Sequence, residues 1–453
     1  VNILIRPLTI EDAAVSYKWR NDPEVWKFTG SRPTKAITAE IERDWLKNSL
    51  GDKSKTRFAI LVDGEYVGNV QLTDIILNKT AEFHIFIGNK SFWGKGVAKE
   101  ATYQILQYAK EVLNLQSVFL DVNKENLPAI KSYKKNGFVI VNETNDSIRM
   151  VCDIQNLKPP MVSVFCMVYN QEQYISQAIE GFLMQKTNFT SVMVVGEDCS
   201  TDGSRYIILE YAKKYPGKFK LLLNDKNIGA HKNQEKVLKN CTGKYIAMCE
   251  GDDYWTDPLK LQKQVGFMEA NAEYGICFHN VRQENDFNNK THIIPGVKQD
   301  KDFTLNEYVL NNKTATCSLV FRSDVFNSSI PKWFAKLPFG DLGLILMALK
   351  KYNEKGMVLS DEMGVYRVHH AGTHGSFHKN DKGLINAYKQ HWVFTNIIKK
   401  ELLFEPRYKS ILQKKKINTL EILSDLNKKE NHYIGYFSYR ILLVYYKVMS
   451  KLL

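Results

Sequence analysis

Two short stretches constrain this chain more than any others: residues 194–204, VVGEDCSTDGS, and residues 249–255, CEGDDYW. In each, an apolar strand runs directly into acidic residues, and the pattern recurs after about fifty positions. In an α/β sheet, ligands gather outside the carboxyl ends of the strands. Two acidic strand ends therefore imply a site for a divalent cation and the diphosphate that it neutralises. A different signature, FWGKGVAKEA at residues 92–101, lies well upstream. The chain is expected to carry two catalytic domains.

A length of 453 residues suits two or three domains rather than one core. With 44% hydrophobic and 25% charged residues, the composition is that of a globular protein. Cys152, Cys166, Cys199, Cys241, Cys249, Cys277 and Cys317 are scattered, with no CxxC pair. They fit a reducing compartment and offer no zinc site. The first residues lack the basic-then-apolar layout of a signal peptide. No run of about 18 apolar residues exists to cross a membrane. A cytoplasmic location follows as the expectation, with any membrane contact peripheral. The net charge of +13 is uneven: residues 380–453 hold fourteen Lys/Arg against six Asp/Glu. That surplus favours an anionic partner. No zinc finger or RNP-like motif is present, so a membrane surface is expected rather than nucleic acid.

Strand-like runs at 1–6, 58–62, 66–72, 83–87 and 118–122, with helical periodicity at 99–111, form a first α/β series over residues 1–154. Asp63-Gly64-Glu65 reads as a hairpin turn. Residues 155–160, QNLKPP, read as a linker. A second series follows, with strands at 162–168, 191–195, 220–223 and 245–248 and helices at 173–185 and 204–214. Strands alternating with helices imply a largely parallel sheet in a domain spanning 161–379. Residues 380–453 read as a basic, aromatic helical tail.

In residues 92–101, Gly94, Gly96 and Ala98 sit between a strand and a helix, where backbone N–H groups approach a phosphate readily. Downstream comes Asn126-x-x-Ala129-x-x-x-Tyr133-x-x-x-Gly137-Phe138, which puts Asn126, Ile130 and Tyr133 on one helix face. With RPLTIEDA near the start and WRNDPEV at 19–25, this combination resembles the GNAT N-acetyltransferases over residues 1–154. The resemblance implies that acetyl-CoA binds between two splayed parallel strands. Trp93, Gly94, Lys95, Gly96, Val97 and Ala98 would cradle the pyrophosphate, Asn126 would bond to the CoA arm, and Tyr133 would protonate the departing thiolate. A phenol can give its proton to a thiolate while staying protonated at neutral pH. Trp93 is a departure, since many members open this loop with Gln or Arg. The RNDPEV and WGKG elements point to the branch holding ribosomal-protein and amino-sugar-nucleotide acetyltransferases. Glu82 and His84 alternate on one strand face, where Glu82 is the candidate base; a solvated strand face is the alternative.

VSVFCMVYN at 162–170, then VVGEDCSTDGS, then KYIAMCEGDDYWTDPLKLQKQ at 244–264, resembles family 2 glycosyltransferases of GT-A fold over about residues 161–376. The resemblance implies a nucleotide-diphospho-sugar donor, expected to be UDP-linked. Asn170, Glu197, Asp198 and Asp253 would line the donor site, with Asp198 against the base. Glu250, Asp252 and His369 would hold Mg²⁺ or Mn²⁺, His369 coming from YRVHH at 366–370. Glu250 stands where the family's DXD element has its first Asp. Asp341, in PFGDL, would be the base that deprotonates the acceptor hydroxyl with inversion; a helix N-cap is its alternative. His370, His374 and His378 suggest a basic mobile loop.

In the tail, HYIGYFSYRILLVYYKVMSKLL mixes aromatic and aliphatic residues with spaced basic ones, and Lys414–Lys416 form a triple. A helix in a membrane interface fits this mixture. Packing on the transferase domain or on another subunit fits it equally. The reading is an α/β chain with two enzymes of surface glycan assembly. One N-acetylates a nucleotide-linked amino sugar; the other transfers a sugar to a glycan or lipid-linked acceptor. Acetylation of protein amines, or a non-catalytic binding role for one domain, is the alternative.

Overall fold

The computed structural model describes residues 1–28, 34–52, 54–287, 290–312, 314–326, 329–370, 372, 375, 377 and 380–451. The chain forms two compact units. One comprises Val1–Ser163, Leu183–Val195 and Arg205–Leu221, and the other Val164–Phe182, Gly196–Ser204 and Leu222–Leu453.

The first sheet contains β1 (Ile3–Pro7), β2 (Thr56–Val62), β3 (Glu65–Ile76), β4 (Thr80–Ile87), β5 (Ser117–Asn123), β6 (Val139–Glu143) and β7 (Ser147–Asp153), in the order β1-β2-β3-β4-β5-β7-β6. Asp63 and Gly64 both take positive φ, as a two-residue turn must if it is to match the strand twist of β2 and β3. Only β4 and β5 pair in parallel. Helices α1 (Ala13–Arg20), α2 (Ala39–Ser49), α3 (Val97–Glu111) and α4 (Leu127–Lys135) accompany the sheet. The buried residues Val97, Ala101, Ile105 and Leu106 of α3 share one apolar core with Ile5, Ile60, Val70 and Leu120.

That core extends past the expected linker. Leu157 is only 8% exposed and belongs to it, together with Val192 from the next series of strands. Residues 155–160 are thus anchored by an apolar side chain and are not a free tether. Gly217 (φ +77) lies so close to the Gln104 carbonyl that a Cβ there would collide with it. Lys218 reaches Glu100 of α3 at 3.2 Å, with both side chains largely buried.

The second sheet contains β8 (Val162–Val168), β9 (Ser191–Glu197), β10 (Phe219–Leu223), β11 (Tyr245–Met248), β12 (Tyr254–Trp255), β13 (Ile276–Asn285), β14 (Lys290–Ile294), β15 (Lys301–Thr304), β16 (Val320–Arg322) and β17 (Lys355–Val368). Its order is β10-β9-β8-β11-β16-β13-β17-β12, with β14 on β13 and β15 on β17. Strands β8, β9 and β11 are buried on both faces, as their unbroken apolar runs require. Helices α5 (Ile175–Leu183), α6 (Ser204–Lys214), α7 (Ala230–Asn240), α8 (Lys260–Ala270), α9 (Leu305–Leu310) and α10 (Gly340–Lys351) intervene. Beyond β11 the alternation lapses. Strand β16 runs antiparallel to β11 and β13, β12 antiparallel to β17, and only β13 with β17 is parallel. This half of the sheet is therefore mixed, where the sequence pattern implied a largely parallel one.

Three helices follow: α11 (Asp381–Glu401), α12 (Lys409–Lys429) and α13 (Tyr433–Lys451). Lys416 corrects the reading of Lys414–Lys416 as a basic lipid-facing patch. Its ammonium is buried, bonds Asn396 and lies 4.9 Å from the Trp392 ring centre and 5.4 Å from that of Tyr446. Burial pushes it down to about 8. Among the described residues, no helix is long and apolar enough to cross a membrane.

Candidate functional site

In the first sheet, β4 and β5 pair through only three positions, Thr80–Ser117, Ala81–Val118 and Glu82–Phe119. Beyond them the strands continue to Ile87 and Asn123 without pairing with each other, which opens a wedge lined by peptide groups. In the loop before α3 the Trp93 and Lys95 amides bond the Lys90 and Phe92 carbonyls at 3.1 and 3.4 Å. Gly94 (φ +74) and Gly96 (φ +80) both need the left-handed region, and a Cβ on either would meet nothing. Glycine is there for its dihedral angles. Gly96 is the N-cap and no side chain caps the helix, so the first amides of α3, from Val97 and Ala98 on, stay available to an anion. Lys95 lies over the Phe92 ring at 5.5 Å. Trp93 donates from Nε1 to the Ile87 carbonyl at 2.8 Å, pinning the loop to the end of β4. In the first turn of α3, Glu100 is neutralised by Lys218 and accepts from Gln104 at 3.0 Å.

Tyr133 is 9% exposed, with its ring edge-on to Phe83 at 5.8 Å. Its hydroxyl has no hydrogen-bond partner among the described residues, and burial pushes it up to about 12. Asn126 caps α4, its Oδ1 accepting from the Ala129 amide at 3.3 Å. That side-chain oxygen is therefore engaged within the helix. Glu82 and His84 do share a face: His84 Nε2 is 3.6 Å from Glu82 Oε2 and 3.0 Å from Thr73 Oγ1.

In the second sheet, the acidic strand end after β9 turns inward. Asp198 is 3% exposed and accepts from Asn224 Nδ2 at 2.9 Å and from the amides of Ile228 (2.8 Å) and Gly229 (2.9 Å). It shapes the 224–229 loop, with two of these donors on Oδ1 and one on Oδ2. Glu197 is fully buried and accepts from the Ser200 amide at 2.6 Å. Asn170, at φ +53, accepts from the Thr201 amide at 2.8 Å and donates its own amide to Ser200 Oγ at 3.0 Å. These three residues brace one another's loops.

The strand end after β11 gathers the charges. Asp252 Oδ2 lies 3.1 Å from His369 Nε2. Glu250 is half-buried beside them, and burial, then the charges of Asp252 and Asp341, push it up to about 8. Asp341 stands in the first turn of α10, accepts from Thr316 Oγ1 at 3.3 Å and from the Leu342 amide, and is raised chiefly by burial. The N-cap of α10 is Phe339 and no side chain caps the helix, so Asp341 lies within the first turn and not at the cap. Asp253, expected at the donor site, is 1% exposed; its Oδ1 accepts the Arg367 amide at 2.9 Å and its Oδ2 has no hydrogen-bond partner among the described residues.

Arg367 was missed in sequence reading, which took only the histidine from YRVHH. Its guanidinium donates to the Asp252 carbonyl at 2.7 Å, bonds Gln177, and lies over the rings of Tyr254 (4.4 Å) and Tyr174 (5.1 Å). Tyr174 also stacks near His369 at 4.8 Å. His370 packs on Phe287 at 4.2 Å, while His374 and His378 lie outside the described residues.

Among the described residues, no set of three or more His, Cys, Asp or Glu side chains could hold an ion unaided. Mg²⁺, however, is commonly bound by one or two carboxylates plus substrate phosphates rather than by a protein cage. Asp252 with His369, beside Glu250, whose proton affinity their neighbourhood raises, fits that kind of shared site.

Residues 2–139 match the acetyltransferase (GNAT) domain model and residues 163–326 match glycosyl transferase family 2. The chain is similar to an uncharacterised protein of Mycobacterium tuberculosis, 36% identical over 223 residues, covering 48% of this chain and 60% of that protein. It therefore spans less than two thirds of the length of that relative. It is also similar to the spermidine N(1)-acetyltransferase of Escherichia coli, 34% identical over 143 residues, 31% of this chain and 75% of that enzyme. A third relative is a Bacillus subtilis protein named for glycosyl transfer in teichuronic acid biosynthesis, 35% identical over 109 residues, 24% of this chain and 42% of that protein.

Proposed function

Because the chain belongs to the GNAT acetyltransferases through its first domain and to the family 2 glycosyltransferases through its second, we infer that it performs two successive steps of surface glycan assembly. The first is N-acetylation of an amino sugar carried on a nucleotide, and the second is inverting transfer of a sugar to a glycan or lipid-linked acceptor. The observation that carries this reading is the convergence of Asp252, His369, Glu250 and Asp341 where β11 and β17 end and α10 begins.

For transfer, Asp341 takes the acceptor's hydroxyl proton as that oxygen attacks the anomeric carbon from the face opposite the leaving diphosphate. Burial raises its proton affinity, which suits a base. Asp252 and His369 would hold Mg²⁺ or Mn²⁺, which when bound supplies positive charge to the leaving diphosphate. Arg367 holds Asp252 in place through its carbonyl. For acetylation, the wedge between β4 and β5 takes the extended arm of acetyl-CoA and the start of α3 its pyrophosphate. Glu82, alone or through His84, takes a proton from the amine as it attacks the thioester carbonyl. Tyr133 gives its proton to the CoA thiolate as the carbon–sulfur bond breaks.

The bacterial relative named for teichuronic acid biosynthesis supports the glycan assignment. The similarity to a spermidine acetyltransferase favours a second reading of the first domain, with a polyamine as the amine. Mass spectrometry with acetyl-CoA, UDP-linked amino sugars and spermidine separates the two. A nucleotide sugar heavier by one acetyl group is the expected result. Acetylated spermidine with every nucleotide sugar unchanged would overturn the amino-sugar assignment.

A further inference from the structure

Helix α13 presents its apolar side outward. Leu443 is buried against the neighbouring helix α12, Gln413 of α12 donates to the Tyr446 carbonyl at 2.9 Å, and Lys447 pairs with Glu421 of α12 at 2.7 Å. These contacts fix which side faces inward. On the opposite side stand Ile434, Phe437, Ile441, Val444, Tyr445 and Val448, recurring every three or four residues. Ile434 is 81% exposed, Ile441 71% and Phe437 60%, values ordinary for lysines and unusual for a run of aliphatic residues. At roughly 100° per residue these six occupy one continuous stripe. Arg440 stands exposed along one edge of it, while Lys447 is engaged by Glu421, and no Asp or Glu occurs in Tyr433–Lys451.

We propose that this outer face of α13 seats the protein on an anionic lipid bilayer, lying in the plane of the headgroups. The helix does not cross, since its apolar residues cover one side only and no described helix meets the requirement for spanning. Charge decides the occupant. An apolar stripe with a basic edge and no acidic residue is complementary to a negatively charged leaflet, where each basic residue near the surface strengthens binding about fivefold. A second copy of the same face would set Arg440 against its own like charge or leave it idle. The surplus of basic residues over 380–453 acts in the same direction. The inference stands apart from the choice of substrate in either domain.

The test is flotation of the full chain with phosphatidylcholine vesicles, with and without phosphatidylglycerol, at low and high salt. Binding to the phosphatidylglycerol vesicles alone, weakened by salt, is expected. Ile441→Asp should abolish it, and Arg440→Gln should weaken it about fivefold. Both positions are exposed, so both variants should keep the parent's circular dichroism and melting temperature. Failure to float with either vesicle would overturn the proposal, as would flotation untouched by Ile441→Asp. Concentration-dependent self-association that Ile441→Asp abolishes, without vesicle binding, would assign the face to a second copy and overturn it too.

Discussion

Lys260 shows what the interior tolerates. It is fully buried at the start of α8, with Nζ 3.8 Å from the Trp255 ring centre and no hydrogen-bond partner among the described residues. Burial pushes its ammonium down to about 7 from 10.5, and burial followed by the charge of Lys260 pushes the buried His279 down to about 3 from 6.5. Between each pair of values the unfolded chain binds the proton and the folded chain does not, so stability rises with pH across both windows. The protein should melt at a higher temperature at pH 9 than at pH 7. Lys260→Met should raise the melting temperature at pH 7 and remove most of that increment, as scanning calorimetry would show. A variant that melts lower at pH 7 would mean that the contact with Trp255 outweighs desolvation. Tyr133, the proposed acid, is the counterpart in the first sheet: Tyr133→Phe should slow acetylation by about 10²–10⁴ and leave glycosyl transfer alone. Because burial holds the phenol at about 12, no falling limb near pH 10 should arise from it in the native rate profile. Tyr133 was legible because spacing from Asn126 and Gly137 singled it out. Lys260 was not, because LKLQKQ reads as an ordinary amphipathic helix whose lysines reach water. Asp198 and Asp253 were found as acids at strand ends, yet nothing in the sequence says that backbone amides will absorb them.

At the scale of elements, the βα alternation made β8, β9 and β11 readable, since strands buried on both faces write unbroken apolar runs. Strands β12, β14, β15 and β16 escaped because they are short or exposed, and the longer β13 and β17 because no regular βα alternation frames them. The turn before β10 carries a prediction of its own. Gly217→Ala would have to relieve both a positive φ and the collision with Gln104 of α3. A loss of about 1–3 kcal/mol in urea unfolding is expected. An unchanged midpoint would show that β10 and α3 move apart at no cost. Lys218→Met tests the same seam from its polar side: it leaves Glu100 largely buried without its cation, a few residues past the glycines of the phosphate loop. A higher KM for acetyl-CoA with little change in kcat is the expected kinetic signature.

For the whole molecule, two sets of catalytic groups on two families of fold predict separable activities. Asp252→Asn should abolish glycosyl transfer and leave acetyl-CoA turnover within about twofold, as sites with no shared partners should. Loss of both activities would sink the independence of the domains. The chemistry and the two fold families were legible because glycine-rich and acidic motifs sit at fixed places along α/β units. The domain boundary was less so, since QNLKPP carries the composition of a tether while its single leucine does the work of a core residue. Leu157 packs with Val192, and Asn2 donates to the Leu183 carbonyl at 2.6 Å, so residues from both motif-bearing stretches finish one interior. Severing the chain after Pro160 would strand a raw apolar seam on each fragment. Gene fragments cut at that point would yield sticky, chaperone-dependent halves, and the two catalysts are therefore heritable as one piece rather than as exchangeable cassettes.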